Sequence, residues 1–210
     1  MRTLDEILRE SSSLHSRLCP RQVLGARMAL LAGRELMLEL PRNDRRVLAI
    51  VETDGCVLDA IAVATGCRPG RRTLRVEDHG KLAATFVDVE TGGALRIRPH
   101  PDARDAASRY APEAESHWHA MLLGYQLMPD TELLLWQWVS LVTPLDVVLG
   151  RPGVRVRCDT CGEEVINQRE VARDGGVLCR ACAGGTYYRT SVPSAGDPAG
   201  EASGPPGEAR

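Results

Sequence analysis

Four of the seven cysteines in this chain fall into two Cys-x2-Cys pairs, Cys158/Cys161 and Cys179/Cys182, separated by 17 residues. Two such knuckles present four thiolates to one tetrahedral ion, which is the donor set of a structural zinc site. Zn2+ is therefore the expected cofactor, and residues 151–190 are expected to form a small zinc ribbon. Gly162 and Ala183 follow the two knuckles and let backbone amides approach the sulfurs. The arms Glu164 to Ile166 and Gly176 to Leu178 suit two short strands joined by Asp174-Gly175. The odd cysteine count argues against a disulfide framework, and the first ten residues carry Asp5, Glu6 and Glu10 where a leader would be apolar. A reducing, cytoplasmic address is the expectation.

Charge bears on what the ribbon would bind. Residues 155–190 hold six Arg and five acids, and a tetrathiolate zinc adds about −2, which leaves the segment net negative. Ribbons that read nucleic acid present a basic face interleaved with aromatics, so protein docking or a purely structural role is expected instead. Tyr187-Tyr188 is expected to pack on the ribbon's edge. Over all 210 residues, 26 Lys and Arg balance 28 Asp and Glu, so no global field draws the chain to nucleic acid or an anionic membrane.

The first 150 residues read as an α+β core. Thr3-Leu4-Asp5-Glu6 is a capping-box pattern that opens a short helix running into Ser11-Ser12-Ser13. Pro20 at a first helical position makes Cys19 the N-cap of a second helix, which Pro41 stops. Val47 to Glu52 is a buried strand, and Cys56 to Thr65 a helix closed by Gly66. Thr73 to Val76 and Leu82 to Val89 read as strands, and Thr91-Gly92-Gly93 turns the chain into a hairpin with Ala94 to Arg98. A helical insertion is expected around 102–128, with Trp118, Met121, Tyr125 and Met128 on one face as core or dimer contact. Leu133 to Val142 favours a strand; its ten residues are half of the ~20 that a membrane span needs. The fold expected is thus a partly antiparallel sheet with helices packed on it, followed by the small ribbon. Residues 191–210, rich in Pro, Gly, Ser and Ala, are expected to be a disordered tail.

A second constellation joins His15-x3-Cys19 to Asp54-Gly55-Cys56-x2-Asp59. Cys19 and Cys56 each stand at a helix N-terminus, where unpaired N–H groups lower a thiol pKa, so both are expected to be thiolates. Brought together with His15, and with Asp59 one turn beyond Cys56, they would make an open N/S/O metal site. The alternative is that both cysteines are small buried fillers and His15 a satisfied loop histidine. Lys81 is the sole Lys among 26 basic residues. Set beside Gly80, it is a candidate for a compact ammonium near the same cleft, contacting an anionic ligand or donating a proton.

His15-Ser-Arg-Leu-Cys19-Pro20, Gly25-Ala-Arg27-Met28, Glu52-Thr-Asp54-Gly-Cys56-Val-Leu-Asp59-Ala60-Ile61, Thr65-Gly66-Cys67 and Gly80-Lys81 occur in that order. Together they resemble the FmdE-like family, the E-type subunits of formylmethanofuran dehydrogenase, and the closing ribbon resembles the zinc finger that many members carry. The resemblance implies an α+β core, a homodimer and a cleft lined by the His/Cys motif, possible subunits of a molybdenum or tungsten oxidoreductase being further partners. Ser16, Arg17 and Arg21 stand where the family's first motif has Gly, His and Gly. A second histidine is thereby missing, and Arg17 offers a positive charge to an anionic ligand. Two uses follow. In the enzymatic one, Cys19 and Cys56 hold an open zinc that polarises a carbonyl or water, with Asp59 as base and Lys81 in support. In the other, the chain is a zinc-ribbon regulator or metal-handling adaptor.

Overall fold

The computed structural model describes residues 2–15 and 17–189. The expected tail at 191–210 lies outside the described residues. The chain divides into a first unit ending at Val148 and a second beginning at Leu149.

In the first unit, α1 (Leu4–Ser12) opens on the expected capping box, in which the Thr3 hydroxyl accepts from the Glu6 N–H and the Glu6 carboxylate accepts from the Thr3 N–H. Helix α2 (Pro20–Glu35) carries Val23, Leu24, Met28 and Leu31 into the core. It lies tight against α3 (Cys56–Thr65): a Cβ at Gly25 would stand 2.5 Å from the Val57 carbonyl oxygen. The sheet consists of β1 (Val47–Val51), β2 (Leu74–Val76), β3 (Ala84–Asp88), β4 (Ala94–Pro99) and β5 (Leu134–Val139), ordered β2-β1-β3-β4-β5. Only β1 and β2 are parallel, because the chain crosses between them through α3; the other neighbours are antiparallel. The result is the expected α+β class. Strand β3 is buried along its whole length, with Phe86 fully enclosed.

The helical segment expected around 102–128 is two helices, α4 (Ala103–Tyr110) and α5 (His117–Leu127). Pro112 follows the end of α4 without an N–H to give, and the Ser116 hydroxyl caps α5 by accepting from the His119 N–H at 3.3 Å. A short helix, α6 (Asp130–Leu133), takes the first residue of the expected strand, which runs only from Leu134 to Val139. Helix α7 (Leu145–Leu149) follows. Among the described residues, no helix is long and apolar enough to cross a membrane.

The second unit is two hairpins, β6 (Arg155–Arg157) with β7 (Glu164–Ile166) and β8 (Val171–Arg173) with β9 (Gly176–Leu178). The two arms expected to be joined by Asp174-Gly175 do not pair with each other. Each pairs with a strand beside it in sequence, and Asp174-Gly175 turns β8 into β9. Local closure costs less chain entropy than joining strands across the nine residues between Ile166 and Gly176.

Candidate functional site

In the second unit, each hairpin brings one knuckle. Cys158 closes β6 and Cys161 lies in the turn toward β7; Cys179 follows β9, and Cys182 lies in the helical turn Ala181–Gly185. The four sulfurs lie within 4.8 Å of one another, and Cys161 Sγ is 3.9 Å from Cys179 Sγ. Bonds of ~2.3 Å to a tetrahedral zinc would set sulfurs roughly 3.8 Å apart, so the donor set fits that ion. The backbone N–H groups of Cys161 and Cys179 hold the Cys158 thiol down at about 6. Hydrogen bonding with the Cys179 thiol, then burial, push Cys182 up to about 12. Four crowded thiols cannot all ionise unaided, and a divalent cation resolves that conflict. The Cys182 N–H also points at Cys179 Sγ, 3.4 Å away, as the small residues beside the knuckles require. Tyr187 does not pack on the ribbon: it is 96% exposed and meets Tyr188 edge to face, with ring centroids 5.2 Å apart.

The second constellation divides into two pairs. Gln22, fully buried, accepts from the Cys19 N–H at 2.8 Å and donates to the Ser11 carbonyl at 2.9 Å, which ties the start of α2 to the end of α1. Gly55 takes φ +83°, open to glycine at little cost, and so turns β1 into α3 with Cys56 as first helical residue. The Cys56 thiol then lies within electrostatic reach of the Cys19 thiol. Cys56 is not the poised thiolate that its helix position suggests. Burial, followed by the Cys19 partner, pushes it above the ordinary thiol range and outweighs the helix end. His15 Nε2 meets Asp59 Oδ2 at 2.6 Å, one turn along α3. Among the described residues, the tetracysteine is the one group of three or more metal-capable side chains whose donor atoms all lie within 4.8 Å of one another. His15 and Asp59 thus hold each other, while Cys19 and Cys56 stand as a separate pair beside one cavity.

Lys81 is exposed and its charge acts on Glu52, whose carboxyl is held below the usual range chiefly by hydrogen bonds from Arg96 at 2.5 and 2.7 Å. The backbone N–H groups of His79 and Lys81 donate to the Glu52 carbonyl, which folds the 77–83 loop over the end of β1.

Cys19 and Cys56 form part of the wall of a cavity of about 520 Å³. Arg21 and Leu24 continue this wall from α2, Leu82 closes the sheet side, and His100 and Arg104 enter from β4 and α4. Trp118, Met121 and Tyr125 of α5 complete it; of the face expected to be core or dimer contact, Tyr125 and Met128 do belong to the core, and Trp118, Met121 and Tyr125 also line this cleft. Arg17 sits over the Trp118 ring, 5.6 Å from its centroid. The His100, Arg104 and Trp118 contributions escaped sequence reasoning because no short-range spacing links them to Cys19; only the apolar step of α5 hinted at that wall.

Comparison with known proteins bears on both units. Residues 14–134 match the family described as FmdE, molybdenum formylmethanofuran dehydrogenase operon. Residues 152–188 match the prokaryotic dksA/traR C4-type zinc finger. A probable S-adenosyl-L-methionine-binding protein of Archaeoglobus fulgidus is 29% identical over 205 residues, which is 88% of this chain and 54% of that protein. The chain therefore spans about half the length of that relative. The crystal structure of a tungsten formylmethanofuran dehydrogenase FmdE-like protein from Syntrophus aciditrophicus shares the fold, with a TM-score of 0.58 and 23% identity over 90% of this chain and 96% of that one.

Proposed function

The match over residues 14–134 makes this chain a member of the FmdE family, and on that premise we propose that its core unit binds a thiophilic metal or small ligand at Cys19 and Cys56. The observation that carries this reading is the placement of both thiols in the wall of one cavity of about 520 Å³, near enough for Cys19 to act electrostatically on Cys56. Two sulfurs leave an ion open positions for a ligand entering from the cavity, which is the arrangement of a reactive rather than a structural site. His15 and Asp59, bonded to each other one helical turn away and outside this lining, stand as a proton-handling pair beside it. Lys81, through Glu52, adjusts charge at the end of β1. The ribbon holds one structural zinc and docks a partner, either a second copy of the chain or a component of a molybdenum or tungsten oxidoreductase.

Metal analysis of the full chain and of two variants tests this. The parent should hold the ribbon zinc and take up a second equivalent of Zn2+ or Cd2+ more weakly; Cys19→Ser should lose the second alone and Cys158→Ser the first. Uptake indifferent to Cys19→Ser and Cys56→Ser would remove the metal from the cleft. The name of the Archaeoglobus relative offers S-adenosylmethionine as a trial ligand. Its carboxylate suits Arg21 or Arg104, but its sulfonium would meet a lining with no carboxylate, so weak binding is expected.

A regulatory adaptor is the second reading, favoured by the exposed Tyr187 and Tyr188 and by the match to a dksA/traR-type finger. Salt-sensitive binding of single-stranded nucleic acid, lost in Tyr187→Ala, would support it.

A further inference from the structure

We propose that the cleft beside Cys19 and Cys56 selects a flat apolar molecule bearing an oxygen anion, an arene carboxylate or arene phosphate, a specification that rests on this cleft being the ligand site. Among its lining side chains the charged ones are Arg21 and Arg104, with His100 as a third nitrogen group, and none is a carboxylate. The Asp102 N–H donates to His100 Nδ1 at 3.2 Å, with the exposed Asp102 carboxylate 3.6 Å from the same nitrogen, so Nε2 is the ring nitrogen left for a ligand. Arg104 is steadied by its own Nε, which donates to His117 Nε2 at 3.3 Å and orients the rest of its fork.

The remaining walls are apolar. Leu24, Ala103 and Tyr125 are buried, Met121 and Trp118 half-buried, and all five line the cavity. Arg17 lies over the Trp118 ring and adds a further guanidinium near that wall. Cations at exposed positions around an apolar, aromatic interior match a molecule with a charged head and a flat body. Volume decides against an inorganic ion alone: pockets of ~300–1,000 Å³ suit small organic molecules, and this one is about 520 Å³. Carboxylates and phosphate monoesters share the oxygen chemistry that guanidinium recognises, and the probes separate them.

Isothermal titration calorimetry on the zinc-loaded full chain would use 2-naphthoate, 2-naphthyl phosphate, neutral 2-naphthamide and inorganic phosphate. At least one aromatic anion should bind about tenfold or more tighter than the amide, and inorganic phosphate alone should bind weakly or not at all. The tighter of the two anions identifies the head group. Arg21→Gln and Arg104→Gln, both at exposed positions, should each weaken the anion by about five- to tenfold, leaving amide binding and the melting temperature unchanged. Equal binding of amide and anion, indifference to both Arg substitutions, or no binding of any aromatic probe would overturn the proposal. A chain that takes up metal at Cys19 and Cys56 but ignores every probe keeps the ligand-site reading and loses the anion selectivity. A chain that does neither loses both.

Discussion

The thiol of Cys19, the residue that precedes α2, acts on the thiol of Cys56, the first residue of α3, where both line one cavity. Burial is the larger cause of the upward shift at Cys56 and the Cys19 partner the next. Removing the partner in Cys19→Ala should therefore move the pH midpoint of Cys56 alkylation downward, each unit giving about tenfold more thiolate at neutral pH. Iodoacetamide labelling followed by mass spectrometry across pH 6–10 reads this directly, and an unmoved midpoint would count against the coupling.

The tetracysteine should govern its own unit and leave the first one alone. Chelation, or Cys158→Ser, should abolish the ribbon's amide dispersion in NMR spectra while the signals of the sheet remain in place. Simultaneous loss of both sets would show that the units do not fold independently.

Helices α4 and α5 touch where Gly124 has no side chain: a Cβ there would stand 2.4 Å from the Ala107 carbonyl oxygen. Gly124→Ala should cost about 1–3 kcal/mol by overpacking. Because Arg104 lies on α4 and Trp118 on α5, the same change should weaken any cleft ligand. Thermal melts paired with calorimetry separate these effects, and a variant as stable as the parent would contradict the contact.

Asp88 is buried at the end of β3, and its carboxyl is held at about 2 chiefly by Arg46, whose Nε and Nη2 each donate at 3.0 Å. A folded-state value below the ordinary ~3.9 means that the stabilisation is complete above that ordinary value and is lost as pH falls toward 2. Asp88→Asn should therefore cost up to about 2 kcal/mol at neutral pH, with the difference from the parent shrinking in acid. Parallel stability curves for parent and variant from pH 7 to pH 2 would disprove this.

What could be read in the sequence depended on the range of the signal. Thr3 and Glu6 cap each other across three residues, Pro20 starts α2, and β1 and β3 carry enough apolar residues to declare themselves. The strands of the second unit are three residues each, too short for a period, so Glu164–Ile166 and Gly176–Leu178 were recognisable as strands but their partners were not. The cleft was harder still. The proximity of Cys19 to Cys56 depends on α2 lying against α3, and that of Arg21 to His100 and Arg104 on the order of the whole sheet; no local pattern encodes either. The Cys56 shift went the other way from its helix position because burial is a property of the packed molecule, not of the segment.

The second unit has a consequence for how such chains diversify. Among its described residues Cys158 is the sole fully buried apolar side chain, and Val156, Val165, Val177 and Leu178 are only partly covered, so its shape rests chiefly on four sulfurs, tight turns and the Asp159 contact to the Val177 N–H rather than on a deep core. Substitution elsewhere on its hairpins then meets little steric resistance. The exposed positions of its hairpins can therefore change charge or aromatic content without opening a core, whereas the first unit, with Phe86 enclosed and Gly25 and Gly124 at close approaches, is bound to its interior. New partners can thus arise on the ribbon while the cleft stays as it is.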